Sequence, residues 1–331
     1  YSRVFATIQG SPYQNIYLSA FNDFTFTNYK SSKIDYFPYL TLNEDRLEGE
    51  VDNKAGAEIF WKIDSSRQLN AAFNPDFGQV ESDAVVVNFS ASETFYSDKR
   101  PFFSENHNLF NVQGYRFFYV INTRRIGASP DYNCSEDFSL QQDLCEDAQK
   151  GSNDIDAAFR YTQQGENFDV GFLGAFEANE KFSEGKDFYA VRLRTKRDNL
   201  TVGYLGTYVN RPVIDRTAKV NAVDFEYRPS SIRRLSGTAL TSDVNGETGY
   251  GFNLGYGHDP SKNRHNGVGV FYVDEDLDMK DMGYLWRNNL LMISGRASIK
   301  QTDFSQDSIA RARKYEIAYS LKSTSDFELS L

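Results

Sequence analysis

Run after run of this chain places an apolar side chain at every second position and something quite different in between. Phe168, Val170, Phe172, Gly174 and Phe176 alternate with Asp169, Gly171, Leu173, Ala175 and Glu177. Tyr189, Val191, Leu193 and Thr195 alternate with Ala190, Arg192, Arg194 and Lys196, and Val223, Phe225 and Tyr227 with Asp224, Glu226 and Arg228. Successive side chains of a β-strand point to opposite faces, so this period of two predicts strands with one apolar face. The same reading covers Leu200 to Tyr208, Tyr250 to Tyr256, Val268 to Tyr272 and Tyr315 to Leu321. It also takes Tyr284, Trp286, Leu290 and Met292 as one run, and Tyr115, Phe117, Tyr119 and Ile121 as another. Earlier come Ile155 to Tyr161, Leu69 to Phe73, Ala57 to Ile63 and three short runs between Arg3 and Tyr29, with Lys30 to Lys54 expected as a polar loop. Phe327, Leu329 and Leu331 carry the alternation to the last residue.

The kind of apolar residue narrows the class. A soluble β-sandwich also alternates, but its buried face is mostly aliphatic; here that face is loaded with Tyr, Phe and Trp, as in the aromatic girdles of a transmembrane barrel. Phe 27 and Tyr 21 stand against Met 3 and Cys 2. Mean hydropathy is −0.57 and no apolar run approaches the length of a membrane-spanning helix, so a membrane role survives only as a barrel, whose apolar band hides in alternate residues. The expectation is a single all-β domain over residues 1–331: an antiparallel transmembrane β-barrel of about 16 strands, within 14–18, wide enough for an aqueous interior. A net charge of −10 argues against nucleic acid as a partner, because phosphate binding needs a concentrated basic surface. No signal-peptide pattern opens the chain, which suggests a leader removed or a piece of a longer polypeptide. Cys134 and Cys145 share one polar loop and suit a local disulfide in an oxidising compartment, on the extracellular side; metal binding is the alternative, with no His nearby.

One stretch breaks the rhythm. From Asn74 to Gly127, Asp, Glu, Lys and Arg are packed between aromatic runs at no clean period. Such a segment cannot face lipid, where unpaired charge and open backbone are costly. The residues around 76–113 are expected to fold into the lumen as a constriction or partial plug; an ordinary extramembrane loop is the alternative. Candidate lumen residues are Asp76, Glu81, Asp83 and Glu93 with Lys99, Arg100, Arg124 and Arg125. Acids and bases nearly balance, as buried charge requires. Arg100, Arg124 and Arg125 are expected to pair with carboxylates of the same segment, and Arg192 and Arg194 to form the opposing wall.

The blocks NPDFGQVESD, VNF, DKRPFF, SENHNLF and TRRIG, in that order, resemble the signature of a bacterial outer-membrane β-barrel family of unknown function. In that family the barrel usually follows an N-terminal domain resembling family 9 carbohydrate-binding modules. Tyr96-Ser97-Asp98 and Asn122-Thr123 depart from its usual residues, which bears on side-chain roles rather than on the likeness. The resemblance implies a bacterial outer-membrane location, with lipid and lipopolysaccharide as neighbours. It implies passage or binding of a polar, saccharide-like solute. The alternative is a non-conducting barrel that anchors a surface or periplasmic domain or a partner chain. No cofactor is implied.

Catalysis finds little support. His107, His258 and His265 stand apart, no G-x-S-x-G turn appears, and carboxylates alone would have to carry the chemistry, so no enzyme is expected. Asp274, Asp276 and Asp278 in DEDLDMKD gather oxygens of the type Ca²⁺ takes, but lack EF-hand spacing and a Gly at the bend; a solvated acidic loop is the expected reading. The Gly-rich run GYGFNLGYG reads as a strand because its aromatics alternate, and no helix follows to seat a phosphate.

Overall fold

The computed structural model describes residues 32–45, 50–75, 95–105, 107–114, 117–132, 152–179, 182–305, 309 and 312–324. In chain order the strands are β1 (Lys33–Asp45), β2 (Glu50–Lys62), β3 (Arg67–Phe73), β4 (Gln113–Gly114), β5 (Phe118–Tyr119), β6 (Ile155–Gln164), β7 (Phe168–Glu177) and β8 (Asp187–Arg197). They continue as β9 (Leu200–Arg211), β10 (Arg216–Ser230), β11 (Arg233–Val244), β12 (Glu247–Ser261), β13 (Arg264–Val273), β14 (Tyr284–Leu285), β15 (Leu290–Gln301) and β16 (Arg313–Ser323). Among the described residues, 13 strands form one antiparallel meander, β1-β2-β3-β6-β7-β8-β9-β10-β11-β12-β13-β15-β16. A second, three-stranded sheet, β14-β5-β4, stands apart from it.

Turn chemistry sets the hairpins. β11 and β12 join through Asn245-Gly246, both at positive φ (51° and 93°), as a two-residue turn between twisted strands requires. At one end of the meander Asp198-Asn199 between β8 and β9, Ser231-Ile232 between β10 and β11 and Lys262-Asn263 between β12 and β13 are equally short. The long connections, 74–154 and 274–289, leave from the other end.

The alternating pattern sorts into two faces. Phe172 (45% exposed), Phe252 (42%) and Tyr319 (59%) point outward, while Asp169 (0%), Arg160 (3%) and Arg192 (2%) on the opposite face are buried. Phe225 lies half-buried on the outward face, against Gly237 and Leu254. The buried face packs on an inward body made of the described residues of 95–132 and of 274–286. One continuous apolar cluster joins Phe102, Phe103, Phe118, Val120, Leu277 and Met279 of that body to Ala72, Leu173, Phe188, Leu205, Leu240, Phe271 and Met292 of the wall. Because wall strands β3, β6 to β11, β13 and β15 all contribute to the same cluster, the sheet curves around the body. Among the described residues, β1 pairs only with β2, and β16 only with β15.

Several expectations change. Lys30 to Lys54 is not a loop from Lys33 onward: β1 and β2 pair from Lys33↔Lys62 to Asp45↔Glu50, their alternation having been masked by Pro38 and interspersed charge. Tyr284 and Trp286 do not begin a wall strand with Leu290. Tyr284 pairs with Tyr119 inside, and Leu290 and Met292 of β15 point inward and are buried. Phe117, Tyr119 and Ile121 belong to the inward body, around its small β4-β5 hairpin, rather than to a hairpin of the wall. The inward segment therefore runs beyond 113, to 132, and has a second piece. The runs before residue 32, residues 76–94, Cys134 and Cys145 with their expected disulfide, and Phe327 to Leu331 lie outside the described residues.

Candidate functional site

The inward body is held together by one arginine. Pro101 opens the short helix α1 (Pro101–Ser104), where its missing N–H costs nothing. Just before it, the Arg100 guanidinium donates through Nε to Asp98 Oδ1 (3.0 Å) and through Nη2 to Asp98 Oδ2 (2.6 Å). It donates further to the carbonyls of Ile126 (2.9 Å) and Thr123 (2.7 Å), and covers the Phe103 ring at 4.3 Å. The Thr123 hydroxyl donates to Asp98 Oδ2 (2.7 Å). Burial alone would raise the Asp98 carboxyl, but the Arg100 hydrogen bonds and charge outweigh it and hold the group below its ordinary value. The DKRPFF and TRRIG blocks are thus two halves of one staple.

A second stitch joins the two pieces of the body. β14 pairs with β5, Asn122 N–H donates to the Met282 carbonyl (2.6 Å), and Trp286 N–H to that of Phe117 (2.7 Å). Gly283 sits where a Cβ would meet the carbonyls of Tyr119 and Met279 at 2.8 Å, so the pieces approach this closely only with Gly there.

Polar links then tie the body to the wall at three places. Glu105 accepts from Asn70 Nδ2 of β3 (3.1 Å) and lies 3.8 Å from Arg160 of β6, whose guanidinium covers Phe102. Arg192 of β8 donates to the Leu109 carbonyl (3.0 Å) and grips Asp224 of β10 with both terminal nitrogens. Its guanidinium crosses β9 over Gly203, where a Cβ would lie 2.5 Å from Nη1. At the end with the long connections, Arg211 bridges Asp131 (2.5 Å) and Asp281 (2.8 Å), and Arg216 bridges Asp281 (2.7 Å) and Asp278 (2.9 Å).

Of the residues singled out from sequence, Arg100, Arg192 and Arg194 face this interior. Arg194 binds Asp169. Arg125 is half-buried and donates to the Gly283 carbonyl (3.4 Å); Arg124 is exposed, over the Tyr96 ring at 5.5 Å, and Lys99 is exposed. Asp76, Glu81, Asp83 and Glu93 lie outside the described residues. In the acidic run, Asp274 accepts from the backbone of Tyr250 and Leu277, and Asp278 turns to Arg216. No cluster of three potential metal-ligating acids, His or Cys occurs among the described residues. Sequence reasoning missed Arg160, Asp131, Arg211 and Arg216 as interior charges. For Arg160 the signal was present, since it alternates with Phe159 and Tyr161.

Between the body and the short-turn end of the wall lies a cavity of about 410 Å³, lined among others by Asn111, Gln113, Arg194, Lys196, Asp224 and Asn253. A smaller one of about 370 Å³ lies within the body, between Phe95, Asp98, Phe103, Tyr119 and Thr123. No described helix is long and apolar enough to cross a membrane.

Residues 31–186, just under half of the chain, match a family model described as "Domain of unknown function (DUF5916)". No curated protein matches the chain. Among solved structures it is similar to Salmonella typhi OmpF in complex with daunomycin, at 8% identity and a TM-score of 0.35, covering 88% of this chain and 96% of that one. It is also similar to in-vitro folded OmpT, an outer membrane protein of Vibrio cholerae, at 10% identity and a TM-score of 0.30, covering 89% and 99%.

Proposed function

We propose that this chain is an outer-membrane β-barrel that binds and passes a polar solute along a lumen narrowed by the inward body. One observation carries the reading: the wall is inverted relative to a soluble protein. Large apolar side chains stand exposed along strand after strand, while Asp169, Arg160 and Arg192 are buried on the other side. In water that arrangement leaves a wide apolar surface uncovered; in lipid the outward face is solvated and the charges pair inside. Most of the 13 wall strands have 10 residues or more, enough to cross a bilayer at a tilt. Outer-membrane barrels keep short turns on the periplasmic side and long loops outside, so the body enters from the extracellular end. Lipid and lipopolysaccharide are then the wall's neighbours, and a saccharide is one polar solute of suitable chemistry.

A second reading is favoured by the fully buried layer of Phe102, Phe118 and Val120, which packs the interior without a water path through those side chains. In it the barrel conducts nothing and anchors a domain or partner chain. Planar-bilayer recording of the purified chain separates the two. Stable open steps, made more frequent by Arg100→Ala as the staple of the body is released, support passage. A silent parent and a silent variant support the anchor.

A further inference from the structure

We propose that the cavity beside β8 is a binding site for a hydroxyl-rich solute carrying one oxyanion, a uronate-like sugar being the simplest example. This rests on the solute-binding reading above and narrows its substrate class.

The argument begins with the inward positions of β8. Arg192, Arg194 and Lys196 occupy alternate residues of one strand and so point to the same face. Arg192 is spent: two of its nitrogens hold Asp224 and the third holds the Leu109 carbonyl. Arg194 and Lys196 share a single fully buried carboxylate, Asp169. Arg194 uses Nε (2.7 Å) and Nη2 (2.6 Å) on it, which leaves Nη1 without a partner among the described residues. Lys196 donates to Asp169 (2.8 Å) and to the Gly165 carbonyl (3.2 Å), which leaves its third N–H. The acid across the cavity, Glu226, is already held by Arg228 at 2.6 Å. One positive charge is therefore in excess here, with two unspent donors on adjacent inward positions.

The rest of the lining suits the remainder of such a solute. Asn111 and Gln113 come from the body, and Thr201, Ser236, Thr238 and Asn253 from the wall. The Asn253 Oδ1 is buried without a hydrogen-bond partner, an acceptor left for a ligand hydroxyl. At about 410 Å³ the space falls within the range of small-molecule sites. A charge-assisted hydrogen bond to an oxyanion is roughly twice as strong as a neutral one, so the anion sets the preference and the hydroxyls set the fit.

Isothermal titration of the detergent-solubilised full chain with glucuronate, glucose 6-phosphate and glucose tests this. The expected result is that at least one of the two anions binds about tenfold more tightly than glucose, with the better of the two identifying the oxyanion. Lys196→Gln leaves Asp169 paired with Arg194, so the wall keeps its buried ion pair. That variant should lose the preference, and Lys196→Arg should restore it. Equal binding of all three sugars, or a preference that Lys196→Gln leaves intact, overturns the proposal. Titration does not depend on conduction: a silent bilayer with anion-selective binding would sink passage and keep the site, and a conducting barrel with no anion preference would do the reverse.

Discussion

Aromatic side chains serve two opposite ends in this molecule. Phe172, Phe252 and Tyr319 stand on the outside of the wall with large parts of their rings uncovered, whereas Phe102, Phe118 and Phe188 are shut away completely. Removing a ring of this size from water stabilises by about 1.5–3 kcal/mol. The chain itself supplies that burial for the inward rings, through contacts in one continuous cluster. The outward rings gain it only if the surroundings are apolar. The inner aromatics should therefore behave the same in any medium that keeps the fold, and the outer ones should depend on the medium.

The largest expected effect tests the inner half of that contrast. Phe118→Ala should destabilise the body by about 3–5 kcal/mol, the usual range for emptying a filled aromatic site. Trp286, packed on Phe117 at 5.4 Å, reports the loss as a lower urea midpoint of its emission, in detergent and in bilayers alike. Phe172→Arg tests the outer half. In a bilayer it should cost about 2–4 kcal/mol, whereas at an exposed site in water such a change stays within about 0.5 kcal/mol. Equal tolerance in bilayer and in aqueous conditions would remove the lipid-facing wall.

Much of the wall could be read from the chain because period two has a direct physical cause, and wherever outward aromatics alternate with inward charge, as in β7, β8 and β10, strand and face both follow. β1 was lost because Pro38 and scattered charge blur the period. The inward body was half legible. Its first piece announces itself by charge that lipid cannot accept, but its second, 274–286, looks like any acidic loop until Asp278 and Asp281 are seen against Arg211 and Arg216. Those partners are some 60 to 70 residues apart in sequence, with separations of 62, 65 and 70. Nothing local in the chain encodes such a pairing. The cavity was illegible for the same reason, since β8, β12 and the body meet there only after folding.

A smaller effect should follow from loosening that second piece. Asp281→Asn removes the charge shared by Arg211 and Arg216 and should cost about 1–3 kcal/mol, the usual penalty for leaving part-buried charged donors short of a partner. The loss should appear in Trp286 emission and leave the wall's far-ultraviolet dichroism unchanged, because the arginines lie at the strand ends. Loss of strand signal together with emission would mean that body and wall do not separate as the two kinds of aromatic suggest.

The smallest expected effect comes from one carboxyl, and its sign discriminates between burial and pairing. Asp98 is held below its ordinary value because the Arg100 and Thr123 hydrogen bonds outweigh the opposing effect of burial. A group depressed in the folded state contributes stability that is fully present above its unfolded pKa, near ~4 for Asp, and is lost as pH falls through the folded value. Acidifying from neutral to below ~4 should therefore loosen the body, and a Trp61→Phe background leaves Trp286 as the single indole to follow it, since the chain has only two. Other carboxyls protonate in the same window, so the decisive measurement is the shift produced by Arg100→Gln. Without the guanidinium, burial is opposed only by the residue-100 backbone N–H and the Thr123 hydroxyl, the Asp98 pKa rises, and the acid transition should move to higher pH. An acid transition that Arg100→Gln leaves in place would show that the inner aromatics hold the body without the staple, and that the seal rests on apolar packing alone.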